Sequence, residues 1–210
     1  MVVITYPTSI ENETSLINKM FEKGLPLLHV RKPNMPFEEL VKWVNNIDNY
    51  YHPYLVIHIP TIVINNNEHV FKQYKALINK INSTYTHLST TNCLYVNNYS
   101  AELPKLSTSV HCISEINKLS TSIDRAFISP IYPSISKRGY VSTIDWTEEL
   151  KQRTNNRVTL VALGGITPFH IESIHTMGFD DYALLGTIWE AEQPLKQFEL
   201  CQYYDQLHWQ

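Results

Sequence analysis

The sequence predicts an α/β fold, a single (β/α)8 TIM barrel. Three observations point there. Short β-type runs alternate with longer runs of helical period eight times along 210 residues. That length suits one domain with a full core, 1–210, and is too short for two ordinary ones. The last three strand-like runs each end in small or cationic residues, the means by which a parallel barrel holds a phosphate ligand at one end.

The first strand is expected over residues 2–5. Residues 10–21 follow with Ile17, Met20 and Phe21 on one helical face, and Gly24 closes that helix. A second strand is expected at 27–30. Pro36 suits the first turn of the next helix, whose Phe37, Leu40, Val41, Val44 and Ile47 keep helical period. The third strand is 54–57. Val70, Tyr74, Leu77, Ile78 and Ile81 form the next helical face, and 85–88 is a fourth strand. Residues 92–104 read as loop, so that barrel unit is irregular; 65–67 reads as an Asn-rich turn. Strand five is 107–110, followed by Ile113, Ile116 and Leu119 at helical spacing, and strand six is 126–128. Asp145 with Glu148 has the form of a capping box before Trp146 and Leu150. Strand seven is 158–163. Thr167-Pro168 is an N-cap and first-turn pair, with Gly178 as the stop. Strand eight is 182–185. The last helix is expected to carry Leu195, Phe198, Cys201 and Leu207 on one face.

Composition excludes several classes of function. Apolar residues make up 43% and charged residues 18%, a globular balance. A net charge of −3 with no long basic run argues against nucleic acid and against an anionic membrane surface. The apolar runs are strand-sized, too short to span a bilayer. The N-terminus does not read as a signal peptide. Cys93, Cys112 and Cys201 are scattered and odd in number, which fits a reduced, cytoplasmic compartment. Trp43 and Tyr50-Tyr51 are taken as exposed aromatics that leave room for a homodimer.

His29, His58, His87 and His111 each fall at or near the C-terminal end of an expected strand, where a barrel gathers its site. Arg31 shares a strand face with His29 and puts a fixed cation in the mouth, suited to a diphosphate. Taken singly, each histidine is accounted for as a polar residue bonded to backbone; together they point to at least one donor, acid or base. Nothing in their spacing marks a zinc site. Lys137 follows Ser134 and Ser136 at alternating positions and can clamp an anion. Gly164-Gly165 and, one strand on, Leu185-Gly186-Thr187 expose backbone N–H groups for a phosphate, or simply make the turns.

These pieces occur together in one family. Ser129-Pro-Ile-Tyr-Pro-Ser-Ile-Ser-Lys137, Ala162-Leu-Gly-Gly-Ile166 and Ala183-Leu-Leu-Gly-Thr-Ile188 resemble the motifs of the thiamin phosphate synthase/TenI superfamily of small barrels. Leu28-His-Val-Arg31, His87-Leu88 and Ser109-Val-His111 add weaker matches, so the resemblance runs from about Leu28 to Pro194. It implies phosphorylated thiazole and pyrimidine substrates, with Arg31, Ser109 and Lys137 on the diphosphate. Ser134, Ser136, Gly164, Gly165 and Gly186 would hold the thiazole phosphate. It also implies Mg2+ held by aspartates after the third and fourth strands. Here those places read Val56-Ile-His-Ile-Pro60 and Asn92, without the expected carboxylates. The family's lysine after the second strand is lost, or displaced to Lys32. Three functions stay open: coupling hydroxymethylpyrimidine diphosphate to thiazole phosphate with release of diphosphate, a TenI-like thiazole tautomerase using His29, His58 or His111, and a non-catalytic phosphate-binding regulator.

Overall fold

A computed structural model describes residues 1–60, 68–89, 102–133 and 144–208. Eight parallel strands close into a barrel in sequence order, with β1 paired to both β2 and β8. They are β1 Val2–Ile4, β2 Leu28–Val30, β3 Leu55–Ile59, β4 Tyr85–Leu88, β5 Lys105–Val110, β6 Ile123–Ile128, β7 Thr159–Leu163 and β8 Asp181–Leu184. The helices are α1 Glu13–Glu22, α2 Phe37–Asn45, α3 Glu68–Lys80, α4 Ile113–Asn117, α5 Trp146–Leu150, α6 Ile171–Met177, α7 Gly186–Trp189 and α8 Pro194–His208. Among the described residues no helix is long and apolar enough to cross a membrane.

Strand alternation divides the apolar residues into two cores. Val3, Leu28, Val30, Leu55, Ile57 and their equivalents face outward and pack under the helices. Val2, Ile4, Leu27, Val56, Phe127, Val161 and Ala183 fill the barrel itself. Burying each large side chain of this kind contributes about 1.5–3 kcal/mol before chain entropy is counted. The mouth half of the barrel interior is chemically lopsided. Toward the mouth, β1, β6, β7 and the residue after β8 present Ile4, Phe127, Leu163 and Leu185, whereas β2–β5 present His29, His58, His87 and Ser109; at the opposite end Arg125 of β6 pairs with Asp181 of β8.

Helix ends follow local rules. At the end of α1, Gly24 adopts φ +93°, and the N–H groups of Gly24 and Leu25 donate to the carbonyls of Phe21 and Met20. Asp145 caps α5 by accepting the N–H groups of Thr147 and Glu148, while the Glu148 carboxylate takes Lys151 instead of closing a capping box. Thr167 and His170 do form a reciprocal capping box, around a short 3-10 turn, Pro168–His170, that precedes α6.

Four expectations need correction. Pro36 is the extended residue before α2 and not its first turn. Leu207 is exposed, because α8 turns only Phe198 and Cys201 fully inward. Trp43 is half-buried and its indole N–H donates to Glu13. Tyr51 stacks on Phe21 at 4.7 Å, so Tyr50 alone of the three aromatics stands out in solvent. The turn at 65–67 and most of the loop at 92–104 fall outside the described residues.

Candidate active site at the barrel mouth

The C-terminal ends of the strands surround a cavity of about 700 Å3. Ile4, Phe127, Leu163 and Leu185 form one wall; His29, Arg31, His58, His87, Ser89 and Ser109 form the other. This division follows the lopsided strand interior, since His29 and Arg31 lie two apart on β2 and the residue just after it.

The three histidines touch. His29 Nδ1 lies 3.0 Å from His58 Nε2, and the His58 and His87 rings stack at 4.0 Å. Register explains the stacking, because His58 and His87 are direct partners on β3 and β4. Ser107 Oγ donates to the Thr86 carbonyl and lies 3.0 Å from His87 Nδ1, so the ring N–H donates to it and Nε2 keeps the lone pair. Ser109 Oγ approaches that Nε2 at 3.2 Å. The buried Nε2 of His29 has no hydrogen-bond partner among the described residues.

Burial keeps these rings neutral. It holds His29 and His58 well below the ordinary histidine value, and the neighbouring rings and arginines add to the effect. His87 is lowered to about 3 by burial and then by the Arg31 charge.

Arg31 is exposed at the mouth, with its backbone clamped by Thr5: the Thr5 hydroxyl accepts the Arg31 N–H at 2.9 Å and donates to its carbonyl. Among the described residues no carboxylate pairs with its guanidinium. Lys32 behaves differently. Its ammonium is buried and donates to both Glu13 carboxylate oxygens, at 2.6 and 2.8 Å, and to the carbonyls of Tyr6 and Thr8. Burial pushes Glu13 up and Lys32 down, against their mutual attraction. Lys32 is thus a structural tie and does not replace a substrate-binding lysine.

Gly164, Gly165 and Gly186 lie beside the cavity, next to Leu163 and Leu185, which line it. Gly164 and Gly165 have φ +101° and +66°, and a Cβ on Gly165 would stand 2.3 Å from the Pro133 carbonyl oxygen. Ile131 and Tyr132 donate N–H bonds to the carbonyls of Leu163 and Gly164. The turn thereby holds the 129–133 segment that leads to the serine–lysine motif. Thr187 Oγ1 donates to the Ile166 carbonyl, joining the Gly186 turn to the Gly165 turn.

A model of the family described as thiamine monophosphate synthase matches residues 1–188. The chain belongs to the thiamine monophosphate synthase family. It is similar to a thiamine-phosphate synthase of Anoxybacillus flavithermus, 33% identical over 95 residues that cover 44% of this chain and 43% of that protein. The chain thus matches less than half the length of this curated relative. Among solved structures it resembles a thiamine phosphate pyrophosphorylase from Bacteroides thetaiotaomicron, with TM-score 0.74, 25% identity and 99% and 98% of the two chains covered. One from Pyrococcus furiosus has TM-score 0.74 at 16% identity, covering 98% and 95%, and shows the shared fold.

Within this family frame, the structure brings His29, Arg31, His58, His87, Ser109 and Leu185 to one cavity. His111 stands apart: it is exposed on the rim, its Nδ1 donates to the Ser129 carbonyl, and its backbone N–H donates to Glu115. Asn92, Ser134, Ser136 and Lys137 lie outside the described residues. Sequence reasoning missed Ser107, Phe127 and the Glu13–Lys32 tie. Period-two alternation could have found Ser107, which precedes Ser109 by two; Phe127 faces the site as the register partner of Ser109, which only the folded barrel shows. Nothing local announces the third.

Proposed function

We propose that this protein works in thiamin biosynthesis as a transferase, coupling hydroxymethylpyrimidine diphosphate to thiazole phosphate. One observation carries the reading: Arg31, whose guanidinium has no carboxylate partner among the described residues, stands in a mouth walled by apolar groups on one side and neutral polar groups on the other. In the coupling reaction the pyrimidine methylene–oxygen bond breaks, and both its electrons leave with the diphosphate. The thiazole nitrogen then gives its lone pair to the methylene carbon, and the positive charge ends on the thiazolium. Such a step needs fixed cations on the leaving anion more than it needs a base. Arg31 supplies one, Ser109 a hydroxyl, and Lys137 a second cation by family resemblance.

Mg2+ does not fit the donors of this mouth. No Asp or Glu lines the cavity among the described residues, and segments 61–67, 90–101 and 134–143 contain none in their sequence. Mg2+ depends on oxygen ligands and usually on a carboxylate. The coupling is therefore derived from Arg31 and the polar wall alone.

The tautomerase reading asks an imidazole to take a proton near pH 7. A ring lowered to about 3, as His87 is, is a poor base there, and His29 and His58 are shifted the same way. Incubating the protein with both phosphorylated substrates tests the proposal. Thiamin phosphate and one diphosphate per product are expected. Binding of thiazole phosphate with no turnover would instead make this a non-catalytic barrel.

A further inference from the structure

We propose that His29, His58 and His87 form a three-imidazole site for a borderline transition-metal dication, Zn2+, open to the mouth. One ring nitrogen from each lies within 4.8 Å of those of the other two. Nitrogen ligands at 2.0–2.1 Å around a tetrahedral ion sit about 3.3–3.4 Å apart. The 3.0 Å contact between His29 Nδ1 and His58 Nε2 is inside that separation and the 4.8 Å bound on the set lies well outside it, so the rings must rotate to close the site.

Two further features point to a ligand. The first is the second layer behind His87. Ser107 takes its Nδ1–H and is itself turned by the Thr86 carbonyl, which leaves the lone pair on Nε2, as metal-bound histidines are held; the Ser109 hydroxyl, 3.2 Å away, meets that lone pair and gives way to the ion. The second is His29. If its Nδ1–H donates to His58, its fully buried Nε2 is an acceptor with nothing to accept; if the proton runs the other way, Nε2–H is a buried donor with nothing to receive it. A cation at His29 Nε2 takes up that lone pair in the first arrangement, and His58, whose Nε2 there accepts the His29 Nδ1–H, must turn its ring to join it.

Donor chemistry selects the ion. Three imidazoles and no carboxylate suit zinc and its neighbours and not Mg2+ or Ca2+. Arg31, in the same mouth, repels a bare dication, so the site is matched to one that carries an anion in its fourth position. The site requires no particular reaction in the mouth, so it stands or falls apart from the proposed coupling.

The test is titration of chelator-treated, full-length protein with Co2+, followed by its visible absorption, and displacement by Zn2+. Saturation at one ion per chain is expected, with inorganic phosphate strengthening it. His58→Gln and His87→Ala should abolish the tetrahedral spectrum, and Ser107→Ala should weaken binding roughly 10- to 100-fold. His69→Ala, on the exposed face of α3, should leave binding unchanged. Circular dichroism checks each fold; if both histidine variants unfold, Ser107→Ala decides. The proposal is overturned by no saturation at concentrations on the order of 1 mM, by binding that survives in folded His58→Gln and His87→Ala, or by unchanged affinity in Ser107→Ala.

Discussion

Gly165 holds a left-handed φ of +66° directly beneath the Pro133 carbonyl, and its neighbour Gly164 is left-handed too. Both the conformation and the space exclude a side chain there. Gly165→Ala should therefore destabilise the protein by about 1–3 kcal/mol, read from the midpoint of urea unfolding. Gly178→Ala is an instructive contrast: its φ is +97°, yet a Cβ there meets nothing within 4 Å, so only the conformational cost applies and its loss should be smaller. The two glycine turns read equally well in the sequence as phosphate cradles or as plain turns. In the structure Gly165 carries a packing role whatever it binds, because the segment entering the serine–lysine motif rests on it.

At the scale of elements, one buried ion pair fastens three of them. Glu13 opens α1, where a negative charge is favoured by the helix N-terminus. It meets Lys32 after β2 and the Trp43 indole from α2. Glu13→Ala alone should cost about 3–5 kcal/mol, because it strands the Lys32 ammonium away from water, while Glu13→Leu combined with Lys32→Met should cost much less. Paired unfolding curves would show it, and equal losses in both variants would contradict it. This tie marks the boundary of what the sequence discloses. Each strand was legible because alternating or continuous apolar runs such as 158–163 leave a local signature. Ion pairs between residues 19 apart, the half-burial of Trp43 and the outward turn of Leu207 depend on which faces meet after the chain closes. The histidines lie between those cases. Their places at strand ends could be read from the sequence, but their mutual contact depends on the His58–His87 register and on inward rotation of β2–β4.

The molecule as a whole buries its histidines on one side of the barrel mouth, and this makes its stability depend on pH. His29 and His87 are fully or nearly fully buried, and their folded-state values lie below the ordinary 6.5, with His87 at about 3. The unfolded chain binds protons there first. Their contribution is therefore complete above about pH 6.5 and is lost as pH falls below it, by up to about 1.4 kcal/mol per pH unit for each ring. The Arg31 and Arg125 charges act in the same direction, and His58 is shifted the same way. In metal-free protein, urea unfolding at about pH 7 and about pH 5 should show this slope, and His87→Gln should make it shallower. The same asymmetry underlies the functional account, in which a flat pyrimidine meets the apolar wall and its diphosphate meets Arg31. The most direct test is kcat/KM for hydroxymethylpyrimidine diphosphate in Arg31→Ala against the unaltered protein. Losing charge-assisted hydrogen bonds worth about 1.5–3 kcal/mol predicts a fall of roughly 10- to 150-fold, with the KM for thiazole phosphate little changed. An unchanged kcat/KM for the diphosphate substrate would contradict the placement of that group against Arg31.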